Sequence, residues 1–190
     1  MPRITTIAIG AAVGVLLTAP AARAAVTVFG GDHAQDCFKA AKFGTNQNQG
    51  MRDCTTAIET EPLDRHDLAG TYVNRGVLFM NRRDYANARQ DFESAIALEP
   101  TLGDAFVNRG AALIGERRFL EGVNEITRGL ALGSEEPAKG YYNRAIAYEA
   151  LDNETAAYYD YVKASELAPN WAAPRNELRR FTVRPAGAPR

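Results

Sequence analysis

A three-residue string recurs at a nearly fixed interval, and that interval confines the chain to a repeat architecture. Asn74-Arg75-Gly76, Asn108-Arg109-Gly110 and Asn143-Arg144-Ala145 are offset by 34 and then 35 residues. The surroundings repeat in step. An aromatic stands four residues before each Gly or Ala (Tyr72, Phe106, Tyr141), and a large apolar residue three after (Phe79, Leu113, Tyr148). A small residue lies twelve after (Ala88, Gly122, Ala157), followed by Phe92, Ile126 and Tyr161 and then by Ala95, Gly129 and Ala164. A unit this short cannot enclose a core alone, so such units stack and bury apolar faces between neighbours.

Apolar spacing within each unit predicts two antiparallel helices. The pairs are expected at 69–81 and 85–98, at 104–115 and 119–132, and at 138–151 and 154–167. Pro100 and Pro169 follow helix ends, because proline cannot continue the backbone ladder. The second unit is one residue longer. Gly133 is expected as its left-handed cap and Pro137 in the first turn of the next helix. Gly76, Gly110 and Ala145 are expected where paired helices cross closely, opposite Ala88, Gly122 and Ala157. Asp91, Glu125 and Asp160 each follow the recurring arginine by 16 residues. An ion pair within each unit is expected, in preference to a partner-binding role for the arginines.

This register resembles the tetratricopeptide repeat (TPR) family. The resemblance is carried by three consecutive units over 69 to about 171 and held best in the first and third. It implies an all-α, right-handed TPR solenoid of three clear helix-turn-helix repeats at about 69–102, 103–137 and 138–171. A divergent N-terminal unit is expected at about 33–62, because the run Asp53 through Pro62 aligns with Asp91 through Pro100. A capping helix at about 172–182 should cover the last repeat, with Leu178 and Phe181 on one side. The whole TPR domain is placed at 25–182.

The two ends read differently. Arg3 followed by an uncharged stretch from Ile4 to Leu17 and Ala22-Arg23-Ala24 fit a secretory signal peptide spanning 1–24, cut before Ala25. The apolar stretch is short of the ~20 residues a spanning helix needs. Cleavage is therefore preferred to a retained anchor, and the mature chain is not expected to span a membrane. The tail, 183–190, carries two prolines and a glycine and is expected to be disordered. With the export signal, the NRG units and the cysteines, the chain resembles small exported TPR-containing proteins of Gram-negative bacteria. The expected location is periplasmic or secreted.

Net charge is −1 over the whole chain, with no basic stripe, so no nucleic-acid partner is expected. Arg82-Arg83 and Arg117-Arg118 fall in turns, where solvated charge is expected; Arg179-Arg180 ends the last helix, where cations complement the helix dipole. Cys37 and Cys54 are the two cysteines, one on each expected helix of the divergent unit. An exported chain meets an oxidising compartment, so a structural disulfide is expected. The alternative, a redox-active pair, commonly takes a Cys-x-x-Cys spacing, which is absent. His33 and His66 have no second ligand at a recognised metal spacing, and no Gly-x-Ser-x-Gly or phosphate-binding glycine loop is present. No cofactor, metal or catalysis is expected.

What the chain binds is read from the resemblance. In TPR proteins the first helices of successive repeats line a concave peptide groove. The matching residues are Val73, Asn74, Val77 and Met80, then Asp104, Val107, Asn108, Ala111 and Ile114, then Lys139, Tyr142, Asn143, Ile146 and Glu149. The three asparagines form a ladder facing an open groove, and an amide side chain can both donate to and accept from an extended peptide backbone. Asn as mere decoration of a packing motif remains the alternative. One TPR subclass grips a C-terminal carboxylate; Asn108 and Lys139 match two of its positions, but Val73, Val77 and Asn143 depart from it, so a full clamp is not expected. The function expected is an exported scaffold with an unidentified protein or peptide partner, and self-association as a further option. The alternative is an enzyme, or an enzyme's regulatory subunit, acting on envelope components.

Overall fold

The computed structural model describes residues 4–9 and 22–185. A short strand β1 (Ile4–Ile9) comes first, and an extended segment, 22–29, leads into the helices. These are α1 (Asp32–Phe43), α2 (Gln47–Thr60), α3 (Arg65–Asn81), α4 (Tyr85–Leu98), α5 (Gly103–Gly115), α6 (Phe119–Ala131), α7 (Pro137–Ala150), α8 (Glu154–Leu167) and α9 (Ala172–Leu178), followed by strand β2 (Phe181–Pro185). Each odd-numbered helix from α1 to α7 packs on the next as a hairpin, and successive hairpins stack. The expected helical solenoid is present.

The hairpins turn by one device. Arg83, Arg117 and Asp152 take left-handed backbone angles, with φ of 60°, 66° and 57°. The amide one residue on reaches back to the helix: Asp84 N to Phe79 O, Arg118 N to Leu113 O and Asn153 N to Tyr148 O, at 3.0, 2.9 and 2.8 Å. These are Schellman closures, which satisfy carbonyls that a helix end leaves open. Gly133 takes the same role after α6 with φ 86°, and Pro137 opens α7, both as expected.

The recurring small residues sit at the helix crossings. A Cβ added to Gly76 would lie 2.4 Å from the Phe92 ring. In the second repeat the backbones themselves meet, because a Cβ on Gly110 would stand 2.8 Å from the Gly122 carbonyl. Cys37 and Cys54 form the disulfide that joins α1 to α2, buried with Ala40 and Leu78.

Two boundaries differ from expectation. Helix α3 starts at Arg65, capped by Asp64, whose carboxylate accepts from the Asp67 amide. The helix thus begins about one turn before the expected 69, in the stretch that follows Pro62. At the far end α9 stops at Leu178, and 181–185 pair antiparallel with β1, Ile7 opposite Val183 and Ile9 opposite Phe181. So 183–185, assigned to a disordered tail, form a strand, and the cap is a seven-residue helix plus a two-stranded ribbon. Phe181 explains the change. Its ring packs near Tyr158 and Tyr161 of α8, at 5.7 and 6.0 Å between centroids, which draws the backbone off the helix and along α8. The remaining tail, 186–190, lies outside the described residues, as do 1–3 and 10–21 of the expected signal peptide.

Candidate functional site

The NRG string points three ways, because successive helix residues are turned by ~100°. The arginine leaves the groove. Arg75 makes two bonds to Asp91 (2.9 and 2.8 Å), Arg109 two to Glu125 (3.1 and 2.5 Å) and Arg144 two to Asp160 (2.7 and 2.9 Å). Each guanidinium also lies over the aromatic three residues before it, Tyr72, Phe106 or Tyr141, at 5.3–5.6 Å. Arginine supplies both the planar fork and the stacking face. The glycine or alanine faces the crossing helix. The asparagine is left for the concave side.

On that side the three asparagines hold the chain's own segment. Asn143 Oδ1 accepts from Ala22 N at 2.8 Å, and its Nδ2 donates to Ala22 O at 2.6 Å. Asn108 does the same for Ala24, at 3.1 and 2.7 Å. Asn74 does so for Val26, at 2.9 and 2.8 Å. The match is geometric: an extended chain turns the N–H and C=O of every second residue to one side, and each repeat supplies one amide. All three asparagines are fully buried, as are Ala24, Val26 and Val28. Val26 packs into the core cluster containing Val73 and Met80, and Val28 into that of Ala34 and Ala57.

The other expected groove residues divide. Val73, Val77, Val107 and Ala111 are buried, as are Ile114, Tyr142 and Ile146. Lys139 Nζ donates to Arg23 O at 2.6 Å and also pairs with Glu136. Asp104 is not a lining residue. Its carboxylate accepts from Ser134 Oγ at 2.5 Å and Glu135 N at 3.1 Å, because it opens α5 and faces the loop before α7. Glu149 is turned to the cap, where it accepts from the Tyr161 hydroxyl at 2.5 Å and from Arg180. Burial beside that carboxylate pushes the Tyr161 pKa far up; burial raises Tyr142 to about 12.

Three contacts were missed by sequence reasoning. Asp67 accepts from Phe29 N at 2.9 Å, extending the ladder by one acceptor. Asn81 accepts from Arg23 at 2.5 Å. Asp67, Asn74 and Asn81 are seven apart, so they share one face of α3; that spacing was readable once the helix was known to start at Arg65. Gly70 lets the segment approach, since a Cβ there would lie 2.8 Å from Val28 Cγ1.

His33 contacts Asp53 at 3.2 Å and His66 contacts Glu99 at 2.8 Å. Among the described residues no group of three or more His, Cys, Asp or Glu could hold a metal ion. No described helix is long and apolar enough to cross a membrane.

Comparison with known proteins bears on the repeats. The family model for the tetratricopeptide repeat matches residues 69–102. The E3 ubiquitin-protein ligase CHIP of Arabidopsis thaliana is 28% identical over 133 residues, which cover 70% of this chain and 45% of that one. A DnaJ homolog subfamily C member 7 homolog of Schizosaccharomyces pombe is 32% identical over 69% of this chain and 28% of its own length. The chain therefore spans less than half the length of these curated relatives. A solved structure of the first TPR of Spaghetti (RPAP3), bound to the HSP90 peptide SRMEEVD, superposes with a TM-score of 0.55 at 25% identity. That match covers 58% of this chain and 89% of the other.

Proposed function

We propose that this chain, an array of tetratricopeptide repeats, is an exported scaffold that binds an extended segment of another protein in its concave groove. One observation carries the reading: Asn74, Asn108 and Asn143 each bond both backbone groups of alternate residues in an extended strand. This is recognition of main chain, and the similar first TPR of Spaghetti (RPAP3) is a structure bound to an HSP90 peptide. The groove offers hydrogen bonds and apolar contact, so the proposed role is binding without chemistry.

Export rests on the leader pattern of Arg3, Ile4 to Leu17 and Ala22-Arg23-Ala24, and the Cys37–Cys54 bond supports it, since disulfides persist in oxidising compartments. The periplasm or the medium is the proposed location.

The test is a displayed random-peptide library panned against protein recovered from the exported fraction of a Gram-negative host, its N-terminus sequenced. Recovered peptides should bind the wild type and lose at least tenfold in affinity on Asn108→Ala/Asn143→Ala, with the fold checked by circular dichroism. Equal binding to both proteins would refute the groove.

A further inference from the structure

The strand that fills the groove is built in two parts of different character. From Val26 onward it belongs to the fold: Val26 and Val28 are buried in separate core clusters, and Gly70 makes room for both. Before that it is a lodger. Ala22, packed beside the cluster of Tyr142 and Tyr161, and the buried Ala24 bring only methyl groups, together with their bonds to Asn143 and Asn108. Between them Arg23 is half-buried with no carboxylate partner among the described residues. Its guanidinium meets neutral acceptors, Asn81 Oδ1 and Met80 O, and its Nε is buried with no hydrogen bond. A buried cation left without an opposing charge weakens the docking of whatever carries it.

We propose that residues 22–24 are a built-in plug over the Asn108–Asn143 half of the groove, and that this half takes a partner strand of the same form: extended, with alanine-sized side chains at alternate positions. Resting on the peptide-binding reading above, the inference adds who competes for the site and what shape fits it. The small-residue requirement comes from Ala24, which is fully buried between the helices. Cleavage before Ala25 would detach Ala22 and Ala24 from their asparagines and leave Val26 on Asn74, opening the outer half while the inner half stays filled. An intramolecular strand competes at millimolar effective concentration, so the uncut chain should bind weakly.

The probe is a fluorescein-labelled, end-blocked peptide with the sequence of residues 21–27, titrated by anisotropy into full-length protein. Ala22→Pro/Ala24→Pro removes two amide donors of the plug and should tighten probe binding at least tenfold over wild type. Adding Asn108→Ala/Asn143→Ala should abolish that gain, and a probe with leucine at the position of Ala24 should bind at least tenfold more weakly. A second measurement needs no variant: excess probe on wild type should speed tryptic cutting after Arg23 several-fold. Tight binding to wild type with no gain from the proline variant would overturn the plug and spare the groove. Absence of binding in every arm, with no change in cutting, would overturn both.

Discussion

Gly110 and Gly122 press backbone to backbone. A Cβ on Gly110 would stand 2.8 Å from the Gly122 carbonyl, and one on Gly122 would stand 2.9 Å from the Gly110 carbonyl. Ile126 Cγ1 and Ile114 Cγ1 come closer still, at 2.6 and 2.7 Å, but a side chain can turn aside and a helix carbonyl cannot, so neither glycine can grow without moving a helix. Gly110→Leu should cost about 1–3 kcal/mol or more through forced separation of α5 and α6. Thermal melting followed by circular dichroism should show a clearly lowered midpoint, and an unchanged one would mean that the helices can part freely.

The neighbouring Asn108 was expected to face an open groove, where substitution is close to neutral. It is fully buried beneath Ala24 instead. Asn108→Leu should therefore cost about 1–3 kcal/mol in the uncut chain, since it strands the Ala24 amide and carbonyl. Cutting before Ala25 should remove most of that cost. Chemical denaturation of both forms measures the difference, and equal losses in the two would contradict the arrangement.

The repeats, their helix pairs, the ion pairs and the disulfide were legible because each follows from spacing within one hairpin. The strand in the groove was not. Ala22-Arg23-Ala24 is too small and polar to announce a packing role, and its partners lie 57 to 121 positions away. Asp104 misled because its helix position matches the groove pattern, while the extra residue of the second repeat brings Ser134 and Glu135 to it. Arg180 misled similarly: dipole complementarity at a helix end was expected, whereas the side chain reaches Glu149 two helices back.

That reach has a measurable consequence. Arg180 touches both oxygens of the buried Glu149 at 2.8 Å, while its sequence neighbour Arg179 is exposed. Arg180→Ala leaves a buried carboxylate with only the Tyr161 hydroxyl, and should cost about 3 kcal/mol. Arg179→Ala should stay within about 0.5 kcal/mol. Urea denaturation of the pair decides it, and similar midpoints would remove Glu149 from the cap.

The left-handed turns offer the opposite sign. Arg83 and Arg117 are exposed, yet hold φ of 60° and 66°, a region costing non-glycine residues roughly 1–2 kcal/mol. Glycine relieves that strain and loses roughly 0.5–1 kcal/mol of chain entropy on folding. Arg83→Gly/Arg117→Gly should therefore melt about 1–4 °C higher than wild type. A lower midpoint would show that these side chains contribute more than the turn strain removes.

The last prediction concerns pH. His66 opens α3 and meets Glu99, just after α4, at 2.8 Å. That hydrogen bond, with the nearby charges of Glu99, Asp67 and Asp64, raises the imidazole pKa above 6.5 against a smaller opposing effect of burial. A raised folded pKa means that the folded protein binds the proton more tightly than the unfolded chain. The stabilisation is then complete below about pH 6.5 and is lost as pH climbs through the raised folded value. Half of the His66 side chain is exposed, 48%, so solvent screening holds the effect to no more than about 1 kcal/mol. His66→Gln should accordingly be less stable than wild type at about pH 6 and indistinguishable from it at about pH 8.5. The decisive measurement is guanidinium denaturation of both proteins across that range, with NMR titration of the imidazole alongside. A deficit that grew with pH would reverse the sign and show that protonated His66 does not donate to Glu99.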